Sequence, residues 1–92
     1  MNPRIVCAAI QNADGVVICS PRHYDETMHK IIEQIDECLM SSFYDSSTVI
    51  QGFVDQFGNF YNRRDAYKIA KENNQIIRDH HIVGELFSEH LY

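Results

Sequence analysis

Ninety-two residues, 45% of them hydrophobic and 11% aromatic, make one globular domain over 1–92 and exclude a disordered chain. A net charge of −5, from 8 Lys+Arg against 13 Asp+Glu, argues against a nucleic-acid polymer as partner, though a local arginine cluster can still hold a small anion. No apolar run approaches the ~20 residues that cross a bilayer and no signal peptide is visible, so a soluble cytoplasmic protein is expected.

In chain order, the apolar run over 4–10 reads as a buried strand. A turn at 11–15 follows, with Gly15 suited to positive φ, and 16–20 reads as a second strand, so the chain opens on a β-hairpin. Pro21 breaks that strand. Met28, Ile31, Ile32, Ile35 and Leu39 then form one apolar stripe, which predicts a single long helix over 24–40. Residues 41–48 read as a polar loop carrying two aromatics, and strand character resumes over 49–56. Phe57-Gly58-Asn59 marks a tight turn before a short strand at Phe60 and Tyr61. Asn62 is placed to cap a second, shorter helix over 63–72, with Asp65 in the capping-box position. Asn73-Asn74 ends it, because Asn tolerates the left-handed conformation. Residues 75–77 read as another short strand and 79–81 as a polar break. The ending over 82–92 is unusually apolar for a terminus and must pack on its own domain or on a neighbour's. The expected fold is therefore α+β: an antiparallel sheet with one long and one shorter helix. A chain this short buries only somewhat over ~60% of its unfolded surface, which makes self-association an economical way to bury more.

Several residues have the chemistry of a site, and each also has a plain structural reading. Arg22 and His23 lie between a strand end and a helix start, where guanidinium and free amides suit an anion; from composition alone a solvated loop arginine and a locally packed histidine are the favoured reading. Arg63 and Arg64 sit in a first helical turn, where the macrodipole disfavours cations; surface ion pairs to Asp55 or Asp65 are the alternative. Phe53, Phe57, Phe60 and Tyr61 offer stacking surface for a base, but residues two apart on a strand share a face, so most belong to the core. His80, His81 and His90 lack partners at metal-ligand spacing, and no metal is expected. Cys7, Cys19 and Cys38 form no CxxC and read as structural thiols of a reducing compartment. No GxGxxG, Walker loop, GxSxG or HExxH occurs, and no cofactor is expected.

The segments Pro21-Arg22-His23-Tyr24-Asp25, GFVDQFGNF at 52–60, Arg63-x-Asp65-Ala66, Gln75-Ile76 and Leu86-Phe87-Ser88-Glu89-His90-Leu91-Tyr92 together resemble a family of small phage proteins. The chain is similar to the first type of Thoeris anti-defence protein, the phage sponges for cyclic ADP-ribose signals, over nearly its whole length. The resemblance implies a homo-oligomer, dimer or hexamer, working in the cytoplasm of the infected host. It would be no enzyme: it would bind glycocyclic ADP-ribose without cleaving it, with cyclic oligonucleotides of the CBASS defence as possible further ligands. The implied binding residues are Arg22, His23, Phe53, Phe57, Asn59, Phe60, Asn62, Arg63 and Arg78, with Arg22 and Arg63 foremost. Arg64 departs from the pattern, which has an acidic residue there. Two rival readings stand beside it: a module that inhibits a host protein, and a small nucleotide hydrolase using His23 and carboxylates.

Overall fold

The β-branched and small apolar residues of β1 (Ile5–Gln11) form the strand around which the rest is built, in a computed structural model that describes residues 2–35, 37–77 and 84–91. β1 pairs antiparallel with β2 (Val17–Ser20) on one side and with β3 (Ile50–Asp55) on the other; β4 (Phe60–Asn62) completes the sheet in the order β2-β1-β3-β4. The registers Ala8↔Phe53 and Ile10↔Ile18 set the buried face. One core cluster joins Ile5, Ala8 and Phe53 to Ala66 and Ala70 of α3 (Arg63–Glu72) and to Leu86. A second joins Ile10 and Ile18 to Met28, Ile32 and Phe43 of α1 (Glu26–Glu33) and α2 (Glu37–Tyr44). Ala8 and Ile10 are two residues apart on one strand, so both helical layers lie on the same side of the sheet. The described residues thus form one small α+β domain.

The long helix expected over 24–40 is two helices. Tyr24 has φ +51, a left-handed backbone, so the helix starts only after Asp25, whose side chain accepts from the Met28 N–H at 2.8 Å. Its ladder ends where the Gln34 and Ile35 N–H groups turn back to Ile31 and Ile32, three residues earlier instead of four. The apolar stripe then continues on α2, which reaches into the predicted loop as far as Tyr44 and buries Phe43 completely. The Tyr24 hydroxyl holds the two helices together by donating to the Phe43 carbonyl at 2.7 Å, one of the orphan acceptors of a helix end.

Residues 75–77 form no strand. Instead the Gln75 side-chain amide imitates one: its Oε1 accepts from the Ile5 N–H at 2.9 Å and its Nε2 donates to the Ile5 carbonyl at 2.8 Å. Asn74 takes φ +55 and ends α3 as expected of Asn at that place. Residues 84–91 of the ending fold onto their own domain, with Leu86 fully buried and α4 (Ser88–Leu91) forming one turn whose His90 is 2% exposed. Gly52 is required by contact: a Cβ there would lie 2.0 Å from the Tyr61 carbonyl oxygen.

Candidate functional site

The junction of β4 and α3 gathers most of the charge chemistry. Asn62 caps α3 by accepting from the Asp65 N–H at 2.8 Å, as its place before the helical run requires. Arg63 is then committed inward. Its guanidinium donates to the Leu86 carbonyl at 2.8 Å and to Gln51 Oε1 at 2.7 Å, and lies 4.1 Å from the Phe87 ring centroid. The Leu86 N–H returns a bond to the Arg63 carbonyl at 2.8 Å. Arg63 therefore ties helix start, sheet and chain ending together while keeping one edge on a cavity of about 400 Å³. That cavity is lined by Ile50, Gln51, Asn62, Arg63, Arg64 and Glu85.

Arg64 points the chemistry further along the helix. Arg64, Lys68 and Lys71 recur at i, i+4 and i+7, on one face, and with Tyr67, Gly84 and Glu85 they line an adjoining open groove of about 480 Å³. None of the three cations makes an ion pair or side-chain hydrogen bond with another described residue. Four of the chain's 8 Lys+Arg thus stand on the ten residues of α3 in a protein of net charge −5. Like charges four residues apart repel by a few tenths of a kcal/mol, roughly 0.2–0.5, so the stripe costs stability when empty.

The remaining expected residues are distributed more widely. His23 donates from Nε2 to the Gly52 carbonyl at 2.7 Å and sets its ring edge on Phe53, with centroids 5.0 Å apart. His23 and Arg63 therefore reach neighbouring residues of β3. Arg22 is half-buried, its N–H donating to Asp25 Oδ2 at 3.2 Å. Phe53 is fully buried in the core, so its ring offers no face to a ligand. Phe60 is half-buried beside Gly52. Phe57 and Asn59 stand at the far tip of the β3–β4 hairpin, where Phe57 is 59% exposed. From Gln51 to Asp55 alone the strand runs about 13 Å, so one small ligand cannot touch Arg63 and Phe57 of the same chain. Arg78, His80 and His81 lie outside the described residues.

The hairpin tip is organised by Asp55. Burial by itself would raise this carboxyl, but it accepts from the Asn59 N–H and side-chain amide, the Tyr61 hydroxyl and the Phe57 N–H, which together hold it down at about 2. The same bond, with burial, pushes the Tyr61 hydroxyl up. Asp25 is likewise held below the usual carboxylate range: burial opposes this, and the Ser20 hydroxyl with the Met28 and Arg22 N–H groups outweighs it.

Comparison with known proteins decides the family. The family model of the phage T4 y16D protein matches residues 4–92. The chain belongs to the phage T4 y16D protein family. That name states a phage origin and no activity. No curated protein and no solved structure matches this member of the family. Its geometry must therefore carry the chemistry alone. Among the described residues no group of three or more His, Cys, Asp or Glu side chains is placed to hold a metal ion, and no helix is long and apolar enough to cross a membrane. His90 accepts at Nδ1 from the Phe87 N–H at 3.0 Å, so that nitrogen carries no proton. Burial, then the neighbouring Cys19, pushes the Cys7 thiol up to about 11, which leaves it protonated at neutral pH and poorly suited to nucleophilic attack. Gln51, Lys68, Lys71 and Glu85 were not among the residues singled out from the sequence. The spacing of 64, 68 and 71 was a signal for two of them; nothing local marks Gln51 or Glu85.

Proposed function

We propose that this y16D family member is a phage sponge that binds cyclic nucleotide immune signals, glycocyclic ADP-ribose first among them, and withholds them uncleaved from their effector in the cytoplasm of the infected bacterium. The observation that carries the reading is the concentration of Arg63, Arg64, Lys68 and Lys71 on α3 beside two adjoining cavities. A diphosphate suits guanidinium and ammonium donors of this kind, and the Asn62 and Gln51 amides suit ribose hydroxyls. Tyr67 lines the same groove as Arg64, Lys68 and Lys71 and offers an aromatic surface for an adenine. The resemblance to the Thoeris sponges supports the same ligand class. Phe57 would join such a site only from a second copy, so its use as a stacking platform calls for a homo-oligomer, dimer or hexamer.

Titration calorimetry with glycocyclic ADP-ribose, followed by heat release and chromatography of the ligand, tests the proposal. Tight binding with unchanged ligand is expected, and a chemically altered ligand would sink it. A second reading draws on one observation: Phe57 is exposed on a turn whose polar groups are internally bonded, a preorganised aromatic anchor for a protein partner. Absence of ligand binding together with a stable complex with a host protein, lost in Phe57→Ala, would favour that reading.

A further inference from the structure

Arg64 and Glu85 line both the cavity and the groove beside α3, and among the described lining residues Glu85 is the one carboxylate. Its neighbours in the chain fix it there. Leu86 is fully buried and tied to Arg63 at two points: its N–H donates to the Arg63 carbonyl and its own carbonyl accepts from the Arg63 guanidinium, both at 2.8 Å. Gly84, on the other side, turns at φ +93, a left-handed conformation that glycine adopts without strain. The exposed Glu85 side chain is thus carried on backbone anchored to the start of α3. It makes no ion pair or side-chain hydrogen bond with another described residue, although Arg64, Lys68 and Lys71 line the same groove.

The other charged and amide groups around it are donors. Gln51 Oε1 is engaged by the Arg63 guanidinium and Asn62 Oδ1 by the Asp65 N–H, so what these two side chains have left to offer is their amide N–H groups. Arg64, Lys68 and Lys71 can only donate. A ligand made of phosphate alone would satisfy those donors and be repelled by Glu85. A carboxylate only accepts, and its two oxygens match two hydroxyls on adjacent carbons. An acidic residue takes a ribose hydroxyl in the same way in dinucleotide-binding folds, where a 2′-phosphate calls for an arginine instead.

We infer that Glu85 is the specificity-determining residue of this groove: it accepts from a ribose diol while the α3 cations hold the phosphates, and it rejects a ligand whose diol carries a further phosphate. The inference rests on the sponge reading and adds to it the part of the ligand that is selected. Selection comes from repulsion as much as from attraction.

Calorimetry with cyclic ADP-ribose and with its 2′-phosphate tests the role of Glu85, because the two probes differ by one phosphate. A groove that read charge alone would bind the 2′-phosphate more tightly. The parent chain is expected to prefer cyclic ADP-ribose by about 10-fold or more, a comparison that needs no variant. Glu85→Gln keeps the shape and removes the charge. It should weaken cyclic ADP-ribose by roughly 10–100-fold, the worth of a charge-assisted hydrogen bond, and reverse the preference. Glu85→Asp should keep the parent's preference. Glu72→Gln removes the same charge from the last residue of α3, outside both sets of lining residues, and should leave the ratio unchanged. A parent that prefers the 2′-phosphate, an unchanged ratio in Glu85→Gln, or an equal shift in Glu72→Gln would overturn the role of Glu85 and leave the sponge reading standing. Binding of neither probe would overturn it too, and failure of glycocyclic ADP-ribose as well would overturn the sponge reading with it.

Discussion

The two ends of the β3–β4 hairpin treat charge in opposite ways. At the tip, Asp55 is surrounded by donors from Phe57, Asn59 and Tyr61, and every bond closes within a few residues. At the base, Arg64 and its helical neighbours Lys68 and Lys71 have no carboxylate partner among the described residues, although the chain carries an acidic excess. A satisfied charge holds a turn rigid. An unsatisfied stripe beside a cavity leaves interaction energy available to something outside the chain. Arg63 stands between these cases, since its bonds to Leu86 and Gln51 are structural while one edge borders the cavity.

The contrast predicts that stability and binding separate cleanly along the hairpin. Reversing the stripe with Arg64→Glu, Lys68→Glu and Lys71→Glu together should abolish ligand binding in calorimetry while circular dichroism stays native. Lost fold in that variant would place the stripe on the structural side instead. Arg64→Ala alone should weaken binding by roughly 10–100-fold, the worth of one charge-assisted hydrogen bond of about 1.5–3 kcal/mol. Its melting temperature should stay within a few degrees of the parent.

Asp55→Ala should do the reverse: thermal unfolding is expected about 10 °C lower or more, because Asn59, Tyr61 and Phe57 all lose their acceptor. Phe57→Ala, at the same tip but exposed, should leave the melting point nearly unchanged.

A milder perturbation of the same contrast is acid. Asp55 and Asp25 are held below their ordinary value of 3.8 in the folded state, Asp55 at about 2, so the unfolded chain takes up protons first as pH falls. Their contribution is full above about pH 5 and lost progressively as pH falls through 3.8 towards about 2. Urea midpoints measured across that window should fall steeply in the parent and less steeply in Asp55→Asn. The smallest effect expected is from Lys68→Gln, which removes like-charge repulsion and should raise stability by at most a few tenths of a kcal/mol, about 0.2–0.5.

Much of this was legible along the chain because its causes are local. The opening hairpin follows from Gly15 and the runs flanking it, the α3 start from Asn62 three residues before the Asp65 amide, and its end from Asn74. Periodicity also placed Met28, Ile32, Ala66 and Ala70 in the core, since each helix buries a stripe that its own spacing defines. What periodicity could not register was the break between Glu33 and Glu37: the apolar stripe runs on regardless, and only the packing of Phe43 under Ile10 and Ile18, held by Tyr24, bends the chain there. The Gln75 amide pairing with Ile5 across 70 residues has no local signature at all.

The candidate site divides along the same line. Residue type and helical spacing by themselves determined that Arg63, Arg64, Lys68 and Lys71 share a short helix, because α-helical geometry is set within a few residues. Only the tertiary structure decided that Arg63 turns inward to Leu86 and Gln51, that Arg64 and Glu85 border both cavities, and that Phe57 lies at the opposite end of the hairpin. Those outcomes depend on contacts between segments far apart in the chain, whose energies appear only once the sheet has brought them together.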